Sequence, residues 1–157
     1  MGKVEQSAGE LIEASMESFD PTAHLVNIFV QPWLRLQDEE GHTLEGIRGR
    51  EGAIAQMRLG DEEHEIGVDF ISMEPGSQFP LHVHAGAHIL YFAHGVGMVD
   101  IDGVDHRVVE GDSIYIPAMY PHGVKTYNHA DDAVKFLAFG IPHMPVESKD
   151  RMWRVKE

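Results

Sequence analysis

Gly76-Ser77-Gln78-Phe79-Pro80-Leu81-His82-Val83-His84-Ala85-Gly86-Ala87-His88 is the stretch whose reading decides the fold. His82 and His84 are two residues apart, so on a strand their side chains leave the same face. The small residues Ala85-Gly86-Ala87 allow a sharp bend, after which His88 can return towards the same point. Three imidazoles placed this way can meet on one cation, as metal sites with His ligands require. A fourth candidate, His122, follows the run Gly111-Asp112-Ser113-Ile114-Tyr115-Ile116-Pro117-Ala118-Met119-Tyr120-Pro121, just after a strand and a Pro-braced turn. A single His on a strand is usually structural; four at this spacing among Gly and Pro are not.

Working outward from there, short apolar runs alternate with turn formers. The pattern predicts strands over Ile66–Met73, Ile89–Ala93, Met98–Ile101, His106–Val109, Ser113–Ile116, Gly123–Tyr127 and Val134–Phe139. Asp102-Gly103 between two of them predicts a tight hairpin, because a primed turn needs positive φ. So many short, closely spaced strands indicate an all-β sandwich or barrel. Upstream, Val4 to Met16 reads as a short helix ended by Phe19-Asp20-Pro21. His24 to Leu36, interrupted by Pro32, reads as an edge strand or two short strands. Residues 38–65 are charged and Gly-rich, open to strand or loop, and Glu62-Glu63-His64-Glu65 reads as a solvated loop.

Two motifs now stand in register, and they resemble those of the cupin superfamily. The first cupin motif is matched by Gly76, His82, His84 and Gly95, with His88 where Glu is expected. The second is matched by Gly111, Pro117 and His122, with Met119 in place of Gly and Thr126 in place of Asn. Fifteen residues separate Gly95 from Gly111, the short spacing of small microbial cupins. The resemblance implies an all-β double-stranded β-helix, a jelly-roll barrel. Residues 24–157 would form a single cupin domain, and residues 1–23 a short helical or extended N-terminal extension. It covers Gly76 to Thr126, and it is specific for fold rather than for chemistry, since one fold hosts many reactions.

The resemblance also implies a metal centre at His82, His84, His88 and His122. Four neutral imidazoles leave the charge of a divalent ion uncompensated, which favours the reduced state of a redox metal and an anionic substrate. Such donors suit a divalent transition metal: Fe(II) first, with Mn(II), Ni(II), Zn(II) or Cu(II) as alternatives. His88 has a second reading, as a catalytic acid–base beside a three-His site. His24, His42, His64, His94, His106, His129 and His143 read as structural or surface residues.

For the pocket, Phe79 precedes the His strand, and Phe70 and Ser72 share one face of the strand before it. Leu90 and Phe92 continue the face of His88, and Phe136 and Ala138 alternate on a late strand. Met119 and Tyr120 sit in the turn before His122, with Tyr120 or Tyr115 as proton donor. A metal-dependent cupin enzyme follows, foremost an Fe(II)-type dioxygenase acting on a small oxygen-bearing metabolite that chelates the metal, with O2 as co-substrate. The alternatives are a non-redox Mn, Zn or Ni lyase or isomerase, and a metal-anchored binding or sensing module.

Composition sets the remaining bounds. The 157 residues carry 12 Lys+Arg against 26 Asp+Glu, a net charge of −14 with eleven neutral His. That balance argues against nucleic acid or anionic membrane as partner. Zero Cys excludes disulfides, thiolate nucleophiles and Cys-based metal sites. No apolar run is long enough to span a bilayer, and the polar start lacks the pattern of a secretory leader, so a cytoplasmic location is expected. Edge strands must be covered, and residues 24–36 are the expected interface of a homodimer.

Overall fold

The computed structural model describes residues 18–129 and 131–156; the helix expected over Val4 to Met16 lies outside them. A helical turn α1 (Pro21–His24), capped by the Asp20 carboxylate, and a 3-10 turn (Ile28–Val30) lead into the strands. These are β1 (Leu34–Gln37), β2 (Thr43–Leu59), β3 (Glu62–Met73), β4 (Gln78–Val83), β5 (Ala87–His94) and β6 (Gly97–Ile101). β7 (Val104–Val108), β8 (Ser113–Ile116), β9 (His122–Thr126) and β10 (Val134–Ile141) follow, then a 3-10 turn (Lys149–Arg151) and β11 (Trp153–Arg154). All pairings are antiparallel, in two sheets ordered β1-β2-β3-β10-β5-β8 and β11-β4-β9-β6-β7. The two inner faces enclose one apolar core that includes Phe92, Val99, Ile116, Val134 and Phe136. This is the jelly-roll barrel that the strand pattern and the motifs imply.

The sharpest local expectation is met at Asp102-Gly103. Their φ angles are 49° and 92°, and Ile101 pairs with Val104 across the two-residue turn. Asp102 accepts the left-handed conformation, and Asp100 Oδ1 accepts the Gly103 N–H at 2.7 Å.

Three expectations need correction. Residues 62–65 are not a loop: they open β3 and pair with the end of β2, Leu59 opposite Glu62 and Arg58 opposite Glu63. Strand pairing holds this polar run because the ladder satisfies its backbone groups while the charged side chains stay in water. Residues 24–36 hold the last residue of α1, the 3-10 turn and only the first three residues of β1, since Pro32 delays the strand until Leu34. Phe70 and Ser72 do share a face, but it is the outer one. Phe29 and Trp33 pack on Phe70, with ring centroids 5.5 and 6.0 Å away. Both faces of β3 are therefore buried near its end, and alternation alone does not tell inside from outside. Among the described residues no helix is long and apolar enough to cross a membrane.

Candidate metal centre

β4 and β9 are neighbours, and His82 lies directly opposite His122 across them. A bulge precedes this pair: Phe79 faces Val124 but His82 faces His122, which leaves one extra residue on β4 around Pro80. Pro is tolerated in a strand at such a bulge, and bulges re-aim side chains next to functional sites. His84 follows the end of β4, and His88 enters on β5 of the opposite sheet. The bend between them needs Gly86, because a Cβ there would meet the Pro142 carbonyl oxygen at 2.3 Å.

Each of three imidazoles is locked by a backbone carbonyl two residues away in sequence. Nδ1 of His82 donates to Pro80 O at 2.7 Å, Nδ1 of His84 to Gly86 O at 2.7 Å, and Nδ1 of His122 to Tyr120 O at 2.8 Å. A proton on Nδ1 leaves the Nε2 lone pair free and directed, the usual support of metal-binding imidazoles. Nε2 of His84 and Nε2 of His122 are 3.1 Å apart, so two lone pairs face each other with no proton between them. A cation placed between them would make that contact favourable. Two nitrogens each about 2.1 Å from an ion at right angles lie about 3.0 Å apart, so the spacing fits. The ligand atoms of His82, His84 and His122 all fall within 4.8 Å of one another, and all three residues are buried.

His88 stands differently. Its ring centroid is 4.2 Å from that of His84, yet it falls outside the group of three and makes no hydrogen bond to the described residues. Its ring lies over Gly140, where a Cβ would come within 3.1 Å of it. Burial pushes all four imidazoles towards the neutral form. His82 and His88 lie well below the ordinary value, and His122 is lowered. His84 falls to about 4, through burial first and the neighbouring His122 second. Neutral imidazole is the form that binds a metal.

The four rings line a narrow cavity with room for about two water molecules. Of the expected pocket residues it contains Phe79, Leu90, Phe136 and Ala138. Phe92 is in the core below it, while Phe70 and Ser72 are on the outer side of β3. Met119 and Tyr120 are 54% and 41% exposed in the turn before His122, and Tyr115 is 63% exposed on the outside of β8. None of these three lines the cavity. Met119 keeps the place of the usual glycine at φ 59°, and its N–H donates to His84 O at 2.9 Å. Its backbone braces the site while its side chain stays in solvent.

Sequence reading missed Arg151, which lines the cavity, and the buried pair behind it, Asp69 and His143. Arg151 Nη1 donates to Asp69 Oδ2 at 2.7 Å and to Met144 O at 2.6 Å, and His143 Nε2 lies 3.0 Å from both Asp69 oxygens. The only hint in the sequence is that Asp69 interrupts an otherwise apolar strand.

A barrel of this topology with converging imidazoles at one end defines a class, and the comparisons agree. Residues 69–140 match the family model of the cupin domain. It is 35% identical over 77 residues to dimethylsulfoniopropionate lyase DddW of Ruegeria pomeroyi, a match covering 49% of this chain and 45% of that protein. The chain thus spans less than half of that relative's length. The fold is similar to KdgF from Halomonas sp. (TM-score 0.61, 16% identity, 76% of this chain and 94% of that one). It is also similar to DMSP lyase DddQ from Ruegeria pomeroyi (TM-score 0.56, 19% identity, 78% of this chain and 63% of that one).

Proposed function

We propose that the protein is a metal-dependent cupin enzyme of the lyase type, acting on a small oxygen-bearing substrate. His82, His84 and His122 would hold the ion, and His88 would move the proton. The observation that carries this reading is the facing pair of Nε2 atoms at 3.1 Å, each fixed by an Nδ1–H bond to a carbonyl. Bound there, a divalent transition metal would supply Lewis-acid polarisation of a substrate oxygen and, if redox-active, an electron path to O2.

The chain's own groups supply the rest. His88 is buried and neutral and has no partner among the described residues, so its ring can accept a proton from a substrate carbon next to the polarised oxygen function. Loss of a leaving group from the adjacent carbon, with its bonding pair, then forms a carbon–carbon double bond, and His88 passes the proton to solvent. Phe79, Leu90, Phe136 and Ala138 wall the cavity and keep bulk water from the reacting carbons. The 35% identity to a protein named as a lyase supports elimination over oxygenation.

A dioxygenase is the second reading, favoured by the uncharged donor set, which suits Fe(II). The deciding assay supplies Fe(II)- or Mn(II)-loaded protein with dimethylsulfoniopropionate and related small carboxylates, following alkene formation and dissolved oxygen together. The lyase reading predicts turnover with oxygen unchanged. Stoichiometric oxygen uptake would transfer the assignment to the dioxygenase, and turnover of nothing would leave a metal-anchored binding module.

A further inference from the structure

Arg151 is 6% exposed, yet its only protein partners among the described residues are at Nη1. Nε and Nη2 are left without one, and Arg151 lines the cavity shared by the four imidazoles. Neither atom is buried without a partner in the way Arg50 Nε is, so both keep some contact with open space. The carboxylate it touches, Asp69, is shared with His143, whose Nδ1 lies 3.4 Å from Glu65 Oε1. The next acid, Glu51, is held towards its protonated form by burial and by Asp69. Among the described residues that line the cavity, Arg151 is the one with a permanent charge, and the other polar lining is the four imidazoles and the Gln37 amide.

The position is built by the C-terminal segment. The 3-10 turn (Lys149–Arg151) ends at Arg151, and β11 then pairs Trp153 with Val83 and Arg154 with His82 on β4. Met144 O and Asp69 fix one edge of the guanidinium, which leaves the other edge oriented before any ligand arrives. A planar pair of N–H donors of this kind matches a carboxylate and discriminates against a neutral amide.

We propose that Arg151 is the anion-recognising residue of the cavity and that the substrate carries a carboxylate bound by its Nε/Nη2 edge. This rests on the enzymatic reading above for the word substrate, but the binding claim is tested without turnover or metal. Saturation-transfer NMR would compare propanoate with its neutral isostere propanamide on metal-free and Zn(II)-loaded full-length protein. The expected result is a preference for propanoate of about tenfold or more in metal-free wild type, lost in Arg151→Gln and reduced in Arg151→Lys, with Zn(II) affinity unchanged in both. Arg151→Lys keeps the charge beside Asp69, so it carries the comparison if the Gln variant does not fold. No preference in metal-free wild type, or an undiminished preference in a folded variant, would overturn the proposal. Failure of Zn(II) to bind, with the propanoate preference intact, would instead strike the metal-enzyme reading alone.

Discussion

Gly86 and His88 separate geometry from chemistry at the scale of single residues. A Cβ at Gly86 would lie 2.3 Å from the Pro142 carbonyl oxygen, a backbone atom that has no rotamer to yield. Gly86→Ala is expected to cost several kcal/mol and to displace the carbonyl that orients His84; thermal unfolding and metal titration of the same sample check both effects. His88→Gln should keep the metal, because His82, His84 and His122 remain, but lower turnover at least about a hundredfold through loss of the proton acceptor. Metal loss in that variant would make His88 a fourth ligand. The imidazole spacing was legible in the sequence because a period of two on a strand is simple geometry. The standing of His88 stayed open between fourth ligand and acid–base, since it depends on where β5 of the other sheet sets its ring.

Hairpins and edges decide the next scale. At Gly103 a Cβ meets nothing within 4 Å, so Gly103→Ala at φ 92° should cost only backbone strain, about 1 kcal/mol. Denaturant unfolding should show this with metal affinity unchanged; a larger cost would mean that the turn is packed against something. The segment 24–36 leaves Leu25 74% and Val30 74% exposed. Homodimerisation through it predicts that Leu25→Ser with Val30→Ser weakens association in light scattering, whereas a wild-type monomer would contradict it. Strands with alternating or continuous apolar runs could be located from sequence. The long β2–β3 hairpin was harder, because its Gly-rich and acidic residues pair through backbone groups that composition does not reveal. The face of Phe70 was equally hidden, since residues from another part of the chain cover the outside.

For the whole molecule, the buried imidazoles link stability to pH. His84 falls to about 4 and the other three are lowered, against an ordinary value of 6.5 in the unfolded chain. Between those values the unfolded state binds more protons than the folded one. Their contribution is therefore fully present above pH 6.5 and lost as pH falls towards 4. Metal-free protein should unfold progressively more easily over that range, and Zn(II) should raise its melting temperature most near neutrality, where the ligands are free of protons. A flat melting temperature between pH 7 and 4 would contradict this. Arg151 belongs at this scale too. A single arginine in a charged C-terminal run looks like a solvated residue until the fold threads it back beneath the barrel to Asp69, more than 80 positions earlier.

Metal stoichiometry tests the central claim most directly. Elemental analysis of protein purified without chelator, followed by Co(II) titration of wild type, His84→Ala and His122→Ala, should give one ion per chain in wild type. Both variants should lose tight binding while keeping a native circular-dichroism spectrum. No saturable ion in wild type, or full occupancy in the two folded variants, would contradict the account.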